Sequence, residues 1–159
     1  ENLVRSVPHR GTFVTDVNIT DLARITEVRA VLEGHTARLA CERLSSSDRV
    51  TMAKLVDVLE GEPIRDQREL IRLDQHIHRQ IYRAARNSLL ESTLEQYFNL
   101  SLRLWYMVLD REVPLREAVD EHVELLKAIL AGEGGRAEAI MRRHVAGFEQ
   151  EIRKVLMES

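Results

Sequence analysis

Leu70-Ile71-Arg72-Leu73-Asp74-Gln75-His76-Ile77-His78-Arg79-Gln80-Ile81 is the stretch that decides the fold. Leu70, Leu73, Ile77 and Ile81 recur at spacings of three and four, which is the period of an α-helix with one apolar face. Asp74 and His78 fall on that same face, one turn apart, where a polar side chain is costly unless it meets a partner. His76 stands about 200° round the helix from Asp74 and is expected on the surface or packed elsewhere.

The pattern of a histidine in an apolar slot recurs twice downstream. His122 occupies the slot between Val119 and Leu126, and His144 the slot between Ile140 and Phe148. The two follow His78 at gaps of 44 and then 22 residues. Three helices therefore turn metal-capable side chains toward one interior. One carboxylate and three imidazoles suit Zn²⁺, Ni²⁺, Mn²⁺ or Fe²⁺ better than Ca²⁺. Four protein ligands on a tetrahedral ion make a closed structural site, whereas an octahedral ion keeps two positions for water or a bidentate organic acid. Spacing does not choose between them. Each histidine taken singly could instead be a core residue with its own hydrogen bond.

The rest of the chain reads as helices with short connections. A first helix runs from Thr20 to near Arg43, its face marked by Leu22, Ile25, Val28, Leu32, Leu39 and Ala40. Ser45-Ser46-Ser47-Asp48 is a loop and N-cap cluster before a second helix through Leu59, and Gly61 and Pro63 break the chain. The third helix spans about Arg65 to Ala85. Asn87-Ser88 starts a fourth, with Leu90, Leu94, Tyr97, Leu100, Leu104 and Val108. Pro114 opens a fifth, and Gly132, Gly134 and Gly135 separate it from a sixth that carries Ile140, Val145, Phe148, Ile152 and Val155. The expected fold is all-α: an antiparallel bundle of six or seven helices around a central cavity. A short β-hairpin precedes it. Leu3-Val4-Arg5-Ser6-Val7 alternates, Pro8-His9-Arg10-Gly11 is turn chemistry, and Thr12-Phe13-Val14 favours a strand. A lone hairpin is marginal in water, so it is expected to pack against something else.

Composition narrows the class. With 159 residues, 44% of them hydrophobic, the chain can bury a core of ordinary size. A net charge of −3 argues against a nucleic-acid-binding surface over most of its length. Cys41 is the single cysteine, which excludes an internal disulfide and fits a small hydrophobe in a reducing cytoplasm. No apolar run approaches the length that spans a bilayer, and no signal peptide is evident.

The ordered motifs resemble the ligand-binding (FCD) domain of the FadR subgroup of GntR-type transcription regulators. The resemblance rests on Glu27-Val28-Arg29-Ala30-Val31-Leu32-Glu33, on Leu73 to His78, on Ala84-Ala85-Arg86-Asn87-Ser88-Leu89-Leu90, and on Glu121-His122 and Arg143-His144. Asn2 to Val14 is similar to the wing hairpin that ends a winged helix-turn-helix. Arg86 departs from the pattern, since many relatives have Gly there. The resemblance implies two parts: residues 1–15 as the remnant wing of a DNA-binding domain absent from these residues, and 16–159 as a helical metal- and effector-binding domain. It implies a bound divalent metal, a small carboxylate metabolite beside it, a homodimer, and operator DNA as a partner of the full-length parent only.

Within that frame Arg29, on the apolar face between Ile25 and Leu32, is expected to hold the effector carboxylate, or else an internal salt bridge to Glu33 or Asp74. Asn87 either donates into the cavity or caps a helix. Arg103 either adds a second charge for a diacid or belongs to a solvated face. Trp105 and Tyr106 are cavity wall, dimer surface or ordinary core. The Asp16–Asn18 segment is the expected route of the signal to the wing.

Two other function classes compete with a sensor. A metal-dependent hydrolase needs a general base, and only Glu121 offers itself. Glu121 diverges by about 100° from its neighbour His122, so the two are not expected to face one site. Paired Glu-x-x-His motifs of a di-iron bundle are absent from the sequence. The chain is therefore read as no enzyme. A metal-stapled structural dimerisation module is the remaining alternative.

Overall fold

The computed structural model describes residues 4–7, 11–14, 19–108 and 115–157. Six helices follow one another: α1 Ile19–Arg43, α2 Ser46–Glu60, α3 Gln67–Ala84, α4 Ser88–Val108, α5 Leu115–Leu130 and α6 Gly134–Met157. α1 lies along α6, α2 and α6 both pack on α5, and α3 sits among α1, α4 and α5. The core runs from Leu22 and Met52 through Ile77, Ile81 and Leu104 to Leu126, Ile129, Met141 and Ile152.

Local chemistry sets the helix ends. Ser45 caps α2 in a capping box: its hydroxyl accepts from the Asp48 N–H, and the Asp48 carboxylate accepts from the Ser45 N–H. Asp66 caps α3 by accepting from the Glu69 N–H at 2.8 Å. Asn87 Oδ1 accepts from the Leu89 and Leu90 N–H groups, both at 3.2 Å, and so caps α4. α5 stops at Gly132, whose φ of 75° is open to a residue without Cβ. There the Glu133 N–H reaches the Ala128 carbonyl and the Gly132 N–H the Ile129 carbonyl.

The turn between α3 and α4 is a junction of four helix ends. Arg86 adopts φ 51°, the left-handed conformation in which glycine is at ease, so this chain keeps the turn despite a side chain there. Its guanidinium donates to Asp48 Oδ2 at 2.5 Å and to Ser45 Oγ at 3.0 Å, both at the start of α2. Arg43, the last residue of α1, donates to the Ala85 carbonyl at 2.8 Å.

The expected architecture needs correction. The folded unit is an all-α bundle of six helices among the described residues, with no seventh. No strand takes part in it: the short segments Val4–Val7 and Gly11–Val14 pair only with each other, and no contact joins either to a helix among the described residues. A bundle preceded by a hairpin that packs on it is therefore not what forms, because helix faces alone enclose the core. Among the described residues, side chains leave beside Asp74, His78 and His144 a void of about 10 Å³, room for roughly one water. The Pro8–Arg10 turn, the Asp16–Asn18 segment and Pro114 lie outside the described residues.

The reading of α1 also shifts. Val28 and Val31 face solvent, while Thr26, Arg29, Glu33 and Thr36 are buried. The middle of the buried face of α1 is thus polar, and the candidate site lies against it.

Candidate metal centre

α3 contributes Asp74 and His78, α5 contributes His122 and α6 contributes His144, all four buried. One ligand atom from each lies within 4.8 Å of all the others. Asp74 Oδ1 is 3.7 Å from His78 Nε2, 3.7 Å from His122 Nε2 and 3.9 Å from His144 Nε2. His78 Nε2 lies 3.2 Å from His122 Nε2 and 3.3 Å from His144 Nε2. Donor atoms at about 2.1 Å from a shared ion are about 3.0–3.4 Å apart in octahedral or tetrahedral geometry. The two spacings from His78 fall in that range, and Asp74 stands slightly further out.

The outer nitrogens decide what the inner ones can do. His78 Nδ1 donates to Glu33 Oε2 at 2.6 Å, His122 Nδ1 to the Val119 carbonyl at 3.1 Å, and His144 Nδ1 to Glu121 Oε2 at 2.9 Å. Each partner is an acceptor only, so the proton of each neutral ring sits on Nδ1 and the Nε2 lone pair points inward. Three lone pairs and a carboxylate oxygen then face one another within 4.8 Å. Such a set repels itself unless a cation lies between its members. The donor chemistry fits a divalent transition metal. Burial, followed by the repulsion that His144 and His78 would add if protonated, pushes the His122 imidazole well below the ordinary histidine range. A neutral ring is the ligating form.

Four further residues support the site, one of them, Glu33, as the salt-bridge partner that the sequence offered for Arg29. Glu33 is fully buried and bridges the Arg29 guanidinium, at 2.6 Å, and His78. Burial opposes its charge, but Arg29 and His78 overcome this and hold the carboxyl at about 2. Tyr82 places its hydroxyl 3.4 Å from His78 Nδ1, and burial, with the Glu33 charge, keeps the phenol protonated. Phe98 packs its ring 4.8 Å from that of His78 and lies beneath the Arg29 guanidinium at 4.9 Å. Glu121 does turn toward the cluster, against the expectation from its divergence from His122: it reaches His144, on the neighbouring helix, rather than the interior. Sequence signals existed for three of the four. Glu33 is one turn from Arg29, Tyr82 one turn from His78, and Phe98 one turn from Leu94.

The other expected residues separate. Arg29 borders the small void beside Asp74 and His78, with its charge already met by Glu33. Asn87 is engaged as a helix cap. Arg103 is half-buried, and Tyr106 is 54% exposed. Trp105 is buried and stacks on Phe148 with ring centroids 4.6 Å apart. His76 faces solvent, as its angle predicts.

The FCD domain family matches residues 24–147. A probable D-xylose utilization operon transcriptional repressor of Paenarthrobacter nicotinovorans is 28% identical over 151 residues, covering 92% of this chain; the chain spans 64% of that repressor's length. A transcriptional regulator of the GntR family from Pseudomonas syringae pv. tomato shares the fold at TM-score 0.74 and 22% identity, over 99% of this chain and 66% of that one. The metal-free FCD domain of TM0439 superposes at TM-score 0.73 and 19% identity, over 91% of this chain and 99% of that domain.

Proposed function

The chain belongs to the FCD domain family, and from that premise we propose that it is the effector-sensing domain of a GntR-type transcription regulator. Asp74, His78, His122 and His144 hold one divalent transition metal (Zn, Ni, Mn or Fe). A small carboxylate metabolite binds beside it, toward Arg29. Residues 16–159 form this domain, and residues 1–15 are the wing of a winged helix-turn-helix. The domain works as a homodimer, and operator DNA is a partner of the full-length parent.

One observation carries the reading: every cluster histidine has its outer nitrogen spoken for, which leaves three inward lone pairs arranged to share a cation. The void is lined by Arg29 as well as Asp74, His78 and His144, so a carboxylate entering it would meet both a guanidinium and the residues that would hold the metal. An effector larger than a water must displace side chains there. It transmits a signal only through its preference for the displaced arrangement. No helix among the described residues is long and apolar enough to cross a membrane.

The chain is not read as an enzyme, and its relatives here are regulators. A hydrolase would need a free base at the void, and the nearby carboxylates Glu33 and Glu121 are both committed to histidines. The smallness of the void favours a second reading, in which the metal is a staple and no effector enters.

The test is metal content by mass spectrometry, wild type beside His122→Ala, followed by a thermal-shift screen with organic acids. About one metal per chain, lost in the variant, supports the site. A melting temperature raised by one class of acid supports the sensor, and none raised leaves the staple. No metal in either protein after addition of Zn²⁺, Ni²⁺ and Mn²⁺ overturns the metal reading.

A further inference from the structure

We propose that metal enters and leaves this centre through the pocket beside Glu121, past a gate formed by the Trp105–Phe148 stack, with His144 as the ligand that yields. The proposal rests on the metal reading above.

Two spaces meet at the same side chains. An outer pocket of about 170 Å³ has exposed or half-buried Glu117, Glu121 and Glu151 at its mouth and buried Trp105, His144 and Phe148 at its floor. The inner void, which touches Asp74, His78 and His144, is walled by those same three floor residues. Trp105 and Phe148 stack nearly parallel, at 18° and 4.6 Å, and part the two spaces. Moving either ring joins them.

The three histidines are not held alike. His78 is tied to Glu33, which is wholly buried and gripped by Arg29. His122 is tied to a carbonyl of its own helix three residues back, so its ring turns only with the backbone. His144 alone is tied to a side chain that reaches solvent: Glu121 is 42% exposed. It also forms part of the pocket floor. His144 is therefore the ligand that can swing away without disturbing the core.

Charge points the same way. Among the described residues three carboxylates and no Lys or Arg line the outer pocket, so its field gathers cations and turns anions back. This route suits a hydrated divalent ion and disfavours a carboxylate effector.

A gate and a ligand tether leave different kinetic marks. Zn²⁺ uptake by the metal-free chain, and its release to a chromogenic chelator, are followed by stopped flow. Trp105→Ala is expected to speed uptake and release alike, by about tenfold, with Kd nearly unchanged, because lowering a barrier leaves both end states in place. Glu121→Ala is expected to speed release and weaken binding about 10–100-fold, as loss of a partner to a metal-bound histidine does. Glu117→Gln with Glu151→Gln is expected to slow uptake and flatten its salt dependence while leaving release alone.

Wild-type rates in Trp105→Ala, or wild-type uptake and salt dependence in the rim double variant, overturn the route. Should Trp105→Ala fail to fold, the rim variant and Glu121→Ala, both of which alter exposed or half-buried side chains, decide the matter. A wild-type chain that takes up no Zn²⁺ defeats the metal reading and this route together. Zn²⁺ binding with unaltered rates defeats the route alone.

Discussion

Glu33 presents one carboxylate oxygen to His78 Nδ1 and the other to Arg29 Nε, each at 2.6 Å, in a place closed to solvent. The acid on α1 thus ties the charge of its own helix to a candidate metal ligand on α3. Glu33→Gln is expected to destabilise the fold by about 3–5 kcal/mol, because the Arg29 charge is left buried and unmatched. Zn²⁺ affinity is expected to fall about 10–100-fold in the same variant. Arg29→Met combined with Glu33→Gln removes the orphaned charge and should restore much of the stability but not the affinity. Urea unfolding and Zn²⁺ titration of the three proteins check this.

Zn²⁺ at a hundredfold excess over its Kd is expected to stabilise the chain by about 2.7 kcal/mol, and EDTA to reverse it. In Asp74→Ala the rise should shrink sharply, since the one anionic ligand is gone. Thermal melts with and without Zn²⁺ decide; equal rises in the two proteins would remove Asp74 from the ligand set.

Asp48 offers a test in acid. Burial works to raise its carboxyl, but the Ser45 hydroxyl, the Ser45 N–H and Arg86 together bring it below the ordinary range. A carboxyl lowered in the folded state adds stability above its unfolded pKa, about 3.9, and loses it as pH falls through the lower folded value. Asp48→Asn should therefore be about 1 kcal/mol less stable than wild type at pH 7, with the gap closing below about pH 4. In the Asp48→Asn background, Arg86→Gly should become stabilising, because the left-handed turn at φ 51° is then relieved with no ion pair to lose. Chemical unfolding across the pH range reads both effects.

Asn87→Ala separates a cap from an effector ligand. The loss of two accepted hydrogen bonds at the start of α4 should cost about 1 kcal/mol. Zn²⁺ affinity and any acid-induced rise in melting temperature should be unchanged. A lost acid response with normal stability would return Asn87 to the effector site.

Helical periodicity and turn chemistry made the six helices legible, since Asp66, Asn87 and Gly132 act through local bonds that need no tertiary knowledge. The four cluster residues were legible for a different reason: a lone polar residue in an apolar stripe asks for a partner. Glu33 was legible only as a partner for Arg29, which it is; its bond to His78 escaped because that histidine is on another helix, α3. The apolar period on α1 pointed to Val28, which faces solvent. Glu121 escaped because its partner His144 is on another helix, and angular position on α5 alone does not reveal what α6 brings alongside. The size of the void beside the cluster was likewise beyond reach, because it depends on how large side chains such as Trp105 and Phe148 interlock.

The junction at Arg86 fixes how α3 can move. Arg43 holds the Ala85 carbonyl, Arg86 grips the start of α2, and Asn87 begins α4, so the C-terminal end of α3 is anchored from three sides. Its N-terminal end follows the coil that begins at Gly61. Toward that end Leu70 and Ile71 are buried in the core. The helix that carries Asp74 and His78 is therefore held at both ends, so the spacing of these two side chains is set by the fold itself.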